Sequence, residues 1–241
     1  MKLQDGILIG YDNQMFQDFQ YGDDPIVWDF KRNAHLLICG PTGSGKTYTL
    51  KSMLANARRT AADARLWLCD FKNDDFKFLE GAPRYFGFKN VAAGLNDFYQ
   101  AFEARQSGAD TSRGFRLLVF DEWGAYLSTL DKKQAESEKA KLSTLLMLGR
   151  SFNVHVLISQ QRADAEYFAK ARDNFGAILG MGELSKEAKE MLFSEVKDEM
   201  KPVDEIGVGH FLQGAKLYRV WVNNLMLPER MNAEILRLAS R

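Results

Sequence analysis

The chain has 241 residues, 46% of them hydrophobic, enough for one α/β domain with a substantial core and too few for two full-sized domains with extra modules. Lys+Arg and Asp+Glu are both 32, so net charge decides nothing about nucleic acid, because a neutral whole can still carry a basic patch. The early acid Asp5 and the short apolar run Ile7-Leu8-Ile9 argue against a signal peptide or anchor, and no run approaches the roughly 18 apolar residues of a spanning helix. A soluble, cytoplasmic protein with no membrane association is the expectation.

Residues 1–35 read as an irregular or β-rich lead-in, with short strands at Ile7-Leu8-Ile9 and Ile26 to Phe30 around the turn formers Tyr21-Gly22-Asp23-Asp24-Pro25. The core is expected over 36–225 and a terminal helix over 226–241. The apolar run Leu36-Leu37-Ile38-Cys39 predicts a buried strand. It leads into Gly40-Pro41-Thr42-Gly43-Ser44-Gly45-Lys46-Thr47, a complete G-x-x-x-x-G-K-[ST] loop, followed by a helix that should end near Arg58-Arg59-Thr60. Glycines at 40, 43 and 45 let successive backbone N–H groups turn inward at phosphate oxygens, and the helix adds the positive end of its dipole. Lys46 is placed to neutralise the β and γ phosphates and Thr47 to offer its hydroxyl to Mg²⁺, with Pro41, Thr42 and Ser44 completing the cradle. Tyr48, which stands where G-x-G-x-x-G needs its third glycine, argues against a dinucleotide-binding turn.

A second buried strand, Arg65 to Asp70, follows, then a loop-rich section and a helix around Asn96 to Phe102 with Asn96 as its cap. The strand Phe115 to Phe120 closes on Asp121-Glu122. An acidic pair after four apolar positions is the second nucleotide motif of hydrolytic phosphate-loop proteins: Asp121 to hold Mg²⁺ through a water, Glu122 to polarise the attacking water. Small-molecule kinases do not need that glutamate. A GTP switch needs an Asn-Lys-x-Asp reader, whereas residues 71–74 read Phe-Lys-Asn-Asp. Hydrolysis of ATP is therefore expected. The remaining elements are a helix over Lys132–Gly149, a strand Val154 to Ile158 ending in Ser159-Gln160-Gln161, a helix near 164–172, a strand Ala177-Ile178-Leu179, and a helix over Lys186–Phe193. A hairpin turning at Gln213-Gly214-Ala215-Lys216 and a helix after Pro228 finish the chain. Strands alternating with helices predict a mostly parallel sheet with ligands at its carboxyl edge. Cys39 and Cys69 sit in apolar runs and read as buried thiols. His35, His155 and His210 lack ligand spacing and read as packing or surface residues.

These stretches, in this order, resemble the motor domain of the FtsK/SpoIIIE DNA translocases within the wider FtsK–HerA group. The similarity runs through Trp28-Asp29-Phe30, Cys69-Asp70-Phe71-Lys72, Glu80-Gly81-Ala82-Pro83 and Leu118 to Trp123. It continues through Gly149-Arg150-Ser151-Phe152-Asn153 to Arg162, and through Gly207-Val208-Gly209-His210-Phe211-Leu212. It implies an α/β, RecA-like P-loop NTPase with a mostly parallel central sheet flanked by helices, ATP and Mg²⁺ as ligands, and a ring, expected to be a hexamer, around double-stranded DNA. It implies that Arg150 is a finger reaching the γ phosphate of a neighbouring subunit, and that Gln160 and Gln161 form a polar sensor. A surface arginine and a polar strand end are the plainer alternatives. Asp70 and Lys72 match an Asp-x-Lys expected to support the site, and also suit an ordinary surface turn. Lys170 and Arg172 fall near the family's DNA-facing loop, although a solvated charged helix fits either residue. The family's membrane-spanning N-terminus, long linker and winged-helix module are not expected here, which points to a compact translocase of a plasmid, phage or mobile element recruited by a partner protein. The competing expectations are a conjugative-coupling or packaging ATPase docked on a partner, and a nucleotide-dependent oligomeric scaffold.

Overall fold

In the computed structural model, which describes residues 6–13, 24–60, 63–162, 164–168, 171–222 and 226–241, the lead-in forms β1 (Ile7–Asp12) and β2 (Pro25–Trp28). Next come β3 (Leu36–Cys39), α1 (Lys46–Thr60), β4 (Arg65–Asp70), β5 (Tyr85–Gly87), α2 (Val91–Gln106) and β6 (Arg116–Asp121). The second half contributes α3 (Trp123–Leu127), α4 (Lys132–Leu148), β7 (Val154–Gln160), β8 (Ala177–Met181), α5 (Lys186–Phe193), β9 (Val208–Gln213), β10 (Lys216–Trp221) and α6 (Pro228–Ala239).

The strands form one sheet in the order β2-β1-β10-β9-β8-β3-β7-β6-β4-β5. From β8 to β5 all pairings are parallel, and β9, β10, β1 and β2 extend the sheet with antiparallel pairings. The continuous apolar runs of the central strands follow from burial on both faces. Along β3, Leu36 and Ile38 enter one core with Leu50, Leu54 and Ile235, while Leu37 and Cys39 enter the other with Phe98, Leu142 and Leu145. This is the period-2 alternation of a strand between two helical layers. In register, Cys39 stands beside Gln160, and Asp121 beside Ser159. The carboxyl ends of β3, β7 and β6 therefore meet at one edge, where the phosphate loop leaves β3. No helix among the described residues is long and apolar enough to cross a membrane.

Three local expectations are corrected. Helix α2 starts at Val91, so Asn96 lies inside it and caps nothing. The start is masked in sequence by Gly94, which is needed because a Cβ there would stand 2.6 Å from Cys69 Sγ and the Phe86 ring. Around 164–172 the described residues form 3₁₀ turns at Ala165–Tyr167 and Arg172–Asn174 instead of a helix. There the Tyr167 carbonyl accepts the Trp123 indole N–H at 2.8 Å, which removes an acceptor from any continuing helix. The strand at 26–30 ends at Trp28, where the Phe30 amide already donates back to the Trp28 carbonyl at 3.1 Å.

Cys39 and Cys69 are buried free thiols, and burial pushes the Cys39 thiol up to about 11. His35 and His155 are core residues. The His155 ring stacks on Phe115 at 4.7 Å with its nitrogens on Ala34 O and Asn153 Oδ1, and His35 Nδ1 accepts from the Val156 amide at 3.1 Å. Burial lowers His35 to about 3 and His155 to about 4. Both are neutral when folded but charge near pH 6.5 when unfolded, so the unfolded chain binds more protons as pH falls from about 6.5 toward 4, and stability falls with it. Asp121, pushed up to about 7 by burial, opposes this by holding a proton in the folded state over the same window. His210, lowered to about 4 by burial, behaves as the other two histidines do, so three histidines against one carboxyl leave a net of roughly two protons, or about 3 kcal/mol lost per pH unit. Urea unfolding followed by tryptophan fluorescence should show a lower midpoint at pH 5 than at pH 7; equal midpoints would contradict the assignment.

Candidate active site

The loop from Gly40 to Thr47 joins β3 to α1. Gly43 and Gly45 have φ of 83° and 96°, in the left-handed region that side chains rarely adopt. At Gly40 a Cβ would stand 2.2 Å from the Met181 carbonyl of β8, so the loop can leave β3 at that height only as glycine. A Cβ at Gly43 would meet nothing within 4 Å, so that stretch of backbone faces open space. The Ser44 carbonyl accepts from the Gly207 amide at 3.2 Å, which ties the loop to the turn before β9.

Lys46 is buried at the first position of α1, and its Nζ donates to the Gly40 carbonyl at 2.6 Å and the Pro41 carbonyl at 2.8 Å. Burial lowers its pKa, and the negative charge of Glu122 opposes that. The Thr47 hydroxyl donates to Asp75 Oδ2 at 3.1 Å.

Across the cleft, Asp121 ends β6 almost fully buried. Burial raises its carboxyl to about 7, against the hydrogen bond from Ser159. Such a carboxylate gains from a nearby cation. Glu122 follows at φ 62°, ψ 48°, a left-handed conformation held by its amide donating to the Ser159 carbonyl at 2.7 Å. That step breaks the strand into α3 and turns the carboxylate into the cleft; a non-glycine residue kept there is local strain of the sort found at working sites. Glu122 Oε1 accepts from Lys72 Nζ at 2.6 Å and from Gln161 Nε2 at 3.4 Å. Burial disfavours the charge on Lys72, but Glu122, Asp121 and Asp75 outweigh it and hold the ammonium above its ordinary range.

These residues line one cleft of about 320 Å³ with Lys46, Thr47, Asp121, Glu122 and Gln161 on its walls. An open, donor-lined backbone, a buried ammonium, and the Thr47, Asp75 and Asp121 oxygens on one side fit a nucleotide's phosphates with a divalent cation. Gln160 does not share the cleft. It alternates to the opposite face of β7, where its Oε1 accepts from the Gly124 amide at 3.3 Å and its buried Nε2 has no partner among the described residues. Arg150 is exposed in the 3₁₀ turn Gly149–Phe152 that precedes β7. It therefore sits at the amino end of the sheet, a strand length or about 20 Å from the cleft. Arg172 is half-buried in a turn preceding β8, with Nε 4.0 Å from Asp173 Oδ1. Lys170 lies outside the described residues.

One cleft residue escapes sequence reasoning. Asp75 lies in the run Asn73-Asp74-Asp75, whose spacing singles out neither acid. Lys72, expected to support the site with a surface turn as the alternative, does line the cleft; its link to Glu122 depends on β4 lying beside β6 with Asp70 opposite Asp121.

A family model described as the FtsK/SpoIIIE family matches residues 11–181. Among curated proteins, the chain is 28% identical over 202 residues to the Ftsk domain-containing protein YdcQ of Bacillus subtilis, covering 77% of this chain and 42% of that protein. It is 33% identical over 101 residues to the DNA translocase FtsK of Pseudomonas aeruginosa, covering 41% of this chain and 12% of that one. The chain thus spans less than half the length of these relatives. Among solved structures, the pCW3 conjugation coupling protein TcpA aligns with a TM-score of 0.75 at 20% identity, covering 98% of this chain and 70% of that one. The cytoplasmic domain of the Thermomonospora curvata type VII secretion ATPase EccC aligns at 0.71 and 20% identity, covering 100% of this chain and 32% of that one. At these identities the structural likeness is one of fold.

Proposed function

The chain belongs to the FtsK/SpoIIIE family and is a P-loop ATPase of that type, and from this premise we propose that it hydrolyses ATP within a ring of identical subunits to move double-stranded DNA. The loop amides from Gly40 to Thr47 and the Lys46 ammonium hold the phosphates. To reach them, Lys46 gives up its bonds to the Gly40 and Pro41 carbonyls. Thr47 and Asp121, with Asp75 next to Thr47, would hold Mg²⁺, which when bound would supply positive charge to the β and γ phosphates. Glu122 accepts the proton of the attacking water, with Gln161 beside it.

The observation that carries the ring is the position of Arg150. It is exposed, and it stands at the opposite end of β7 from the cleft of its own chain, so the only cleft open to it is that of a neighbouring subunit. The faces around both sites support a head-to-tail arrangement. Beside Arg150, Met147 and Leu148 are 57% and 43% exposed; beside Gly45, Ile206 is 80% exposed, and Leu227, at the start of α6, is 68% exposed. A heterologous contact that closes into a ring buries unlike faces of this kind. Duplex DNA as substrate rests on family membership and on the relative named a DNA translocase.

Turnover measured with and without duplex DNA tests the reading, together with particle images in a non-hydrolysable analogue. DNA should raise turnover several-fold at low salt, with the gain shrinking steeply as salt rises, and the images should show rings enclosing DNA. Turnover indifferent to DNA, with no rings, would favour a partner-docked ATPase or a scaffold.

A further inference from the structure

Lys72 is the second cation of the cleft, and the hydrolysis steps leave it unused. Its Nζ lies 2.6 Å from Glu122 Oε1, nearer than the Gln161 amide at 3.4 Å, so the carboxylate that must meet water is occupied by an ammonium. A base engaged in this way is poorly placed to take a proton. The Glu122 side chain is 8% exposed and that of Lys72 is 45% exposed. The pair is thus open to solvent on the lysine side, where ion pairs are weak and exchange readily.

The backbone beneath Lys72 has no such freedom. Asp70 is fully buried and accepts from the amides of Asn73 and Phe76 at 2.9 and 3.2 Å and from the Tyr85 hydroxyl at 3.2 Å. Asp75, farther along the same turn, receives the Thr47 hydroxyl. The turn is therefore clamped above the phosphate loop from both ends. What can move is the four-carbon stem of Lys72, in a cleft whose opposite wall is Gly43, Gly45 and Lys46.

We propose that Lys72 is a positioning residue that exchanges partners: it pairs with Glu122 until the terminal phosphate of a nucleoside triphosphate draws it away, which releases the Glu122 carboxylate to water. The terminal phosphate presents about two negative charges and several acceptor oxygens, against one charge on Glu122. A nucleoside diphosphate lacks that group, so the pair persists with it. The exchange makes Glu122 available only when there is a bond to hydrolyse, and Lys72 becomes the residue by which the chain distinguishes triphosphate from diphosphate. The inference rests on Glu122 as the water-polarising base, but its test reads binding alone.

The test is a double-mutant cycle with Lys72→Met and Glu122→Gln, in which Mg²⁺ complexes of an imido-bridged ATP analogue and of ADP are titrated calorimetrically. Glu122→Gln removes the competing partner, so the analogue should bind about fivefold more tightly while ADP affinity stays within twofold. Lys72→Met should weaken the analogue about tenfold and leave ADP unchanged, and Lys72→Arg should recover most of that loss. In the double variant the tightening from Glu122→Gln should disappear. Equal tightening by Glu122→Gln with Lys72 present and with Lys72→Met would mean that it acts by plain charge removal, and the exchange would be wrong. No tightening in Glu122→Gln, or equal effects on analogue and ADP, would overturn it as well. Because no DNA is present and no turnover is measured, failure of the motor reading leaves these outcomes unaffected.

Discussion

Glu122→Gln is expected to lower ATP turnover by about 10²–10⁴-fold, the range that a positioned general base contributes, while the nucleotide still binds and the subunits still assemble. The substitution keeps the shape of the side chain and alters only its ability to take a proton. The left-handed backbone at 122 is held by the Ser159 carbonyl through the main-chain amide, which a glutamine retains, so the step from β6 into α3 survives. Lys46, Thr47 and Asp121 keep their places in the cleft. A 10³-fold loss corresponds to about 4 kcal/mol of transition-state stabilisation, far above the cost of losing one half-exposed ion pair with Lys72. Steady-state turnover alongside analogue binding separates the two effects. Hydrolysis at the unsubstituted rate would falsify the role given to Glu122 and leave Gln161 as the remaining group beside the water position.

How much of this was legible in the sequence depends on the distance over which each signal acts. Gly40 to Thr47 could be read because every part of the cradle is local: the strand, the glycines and the lysine lie within one turn of chain, and the structure keeps their order. Asp121-Glu122 was equally plain, since a strand end fixes where an acid emerges. The same reasoning treated Gln160 and Gln161 as one unit, although strand alternation puts neighbouring side chains on opposite faces. Gln161 accordingly faces Glu122, while Gln160 turns to the Gly124 amide. Lys72 was legible as site support only through the resemblance, with a surface turn equally open, and Asp75 was not legible at all, because their positions depend on β4 pairing with β6 and on Asp70 folding the turn after it. The start of α2 was hidden for a related reason. Gly94 weakens the local helical signal, and its purpose is contact with Cys69 and Phe86, which are distant in sequence. Helix and strand boundaries failed where a tertiary contact overrode local preference, and the 3₁₀ turn held by Trp123 at Tyr167 is the clearest instance.

Arg150→Ala should abolish ring-dependent turnover, by about 10³-fold or more on the scale of arginine fingers, yet leave nucleotide affinity and the folded state of the isolated subunit unchanged. The side chain is exposed and has no partner among the described residues, so truncating it removes nothing that holds the fold. A complementation experiment gives the sharper result. Lys46→Ala destroys the cleft and leaves Arg150 intact; Arg150→Ala does the reverse. Mixed together, a cleft with intact Lys46 on one subunit can receive Arg150 from a neighbour that carries Lys46→Ala, and that interface is complete. Random mixing at equal ratio makes about one interface in four complete, so turnover should rise well above either variant alone and peak near equal proportions. If Arg150 acted within its own chain, no mixture could recover activity, because each subunit would still lack one essential group. A flat response across all ratios would therefore return Arg150 to the surface, and with it the strongest reason for requiring a ring. A bell-shaped response would place the working site between subunits, with the phosphate loop of one chain and the amino end of β7 of the next forming its two halves.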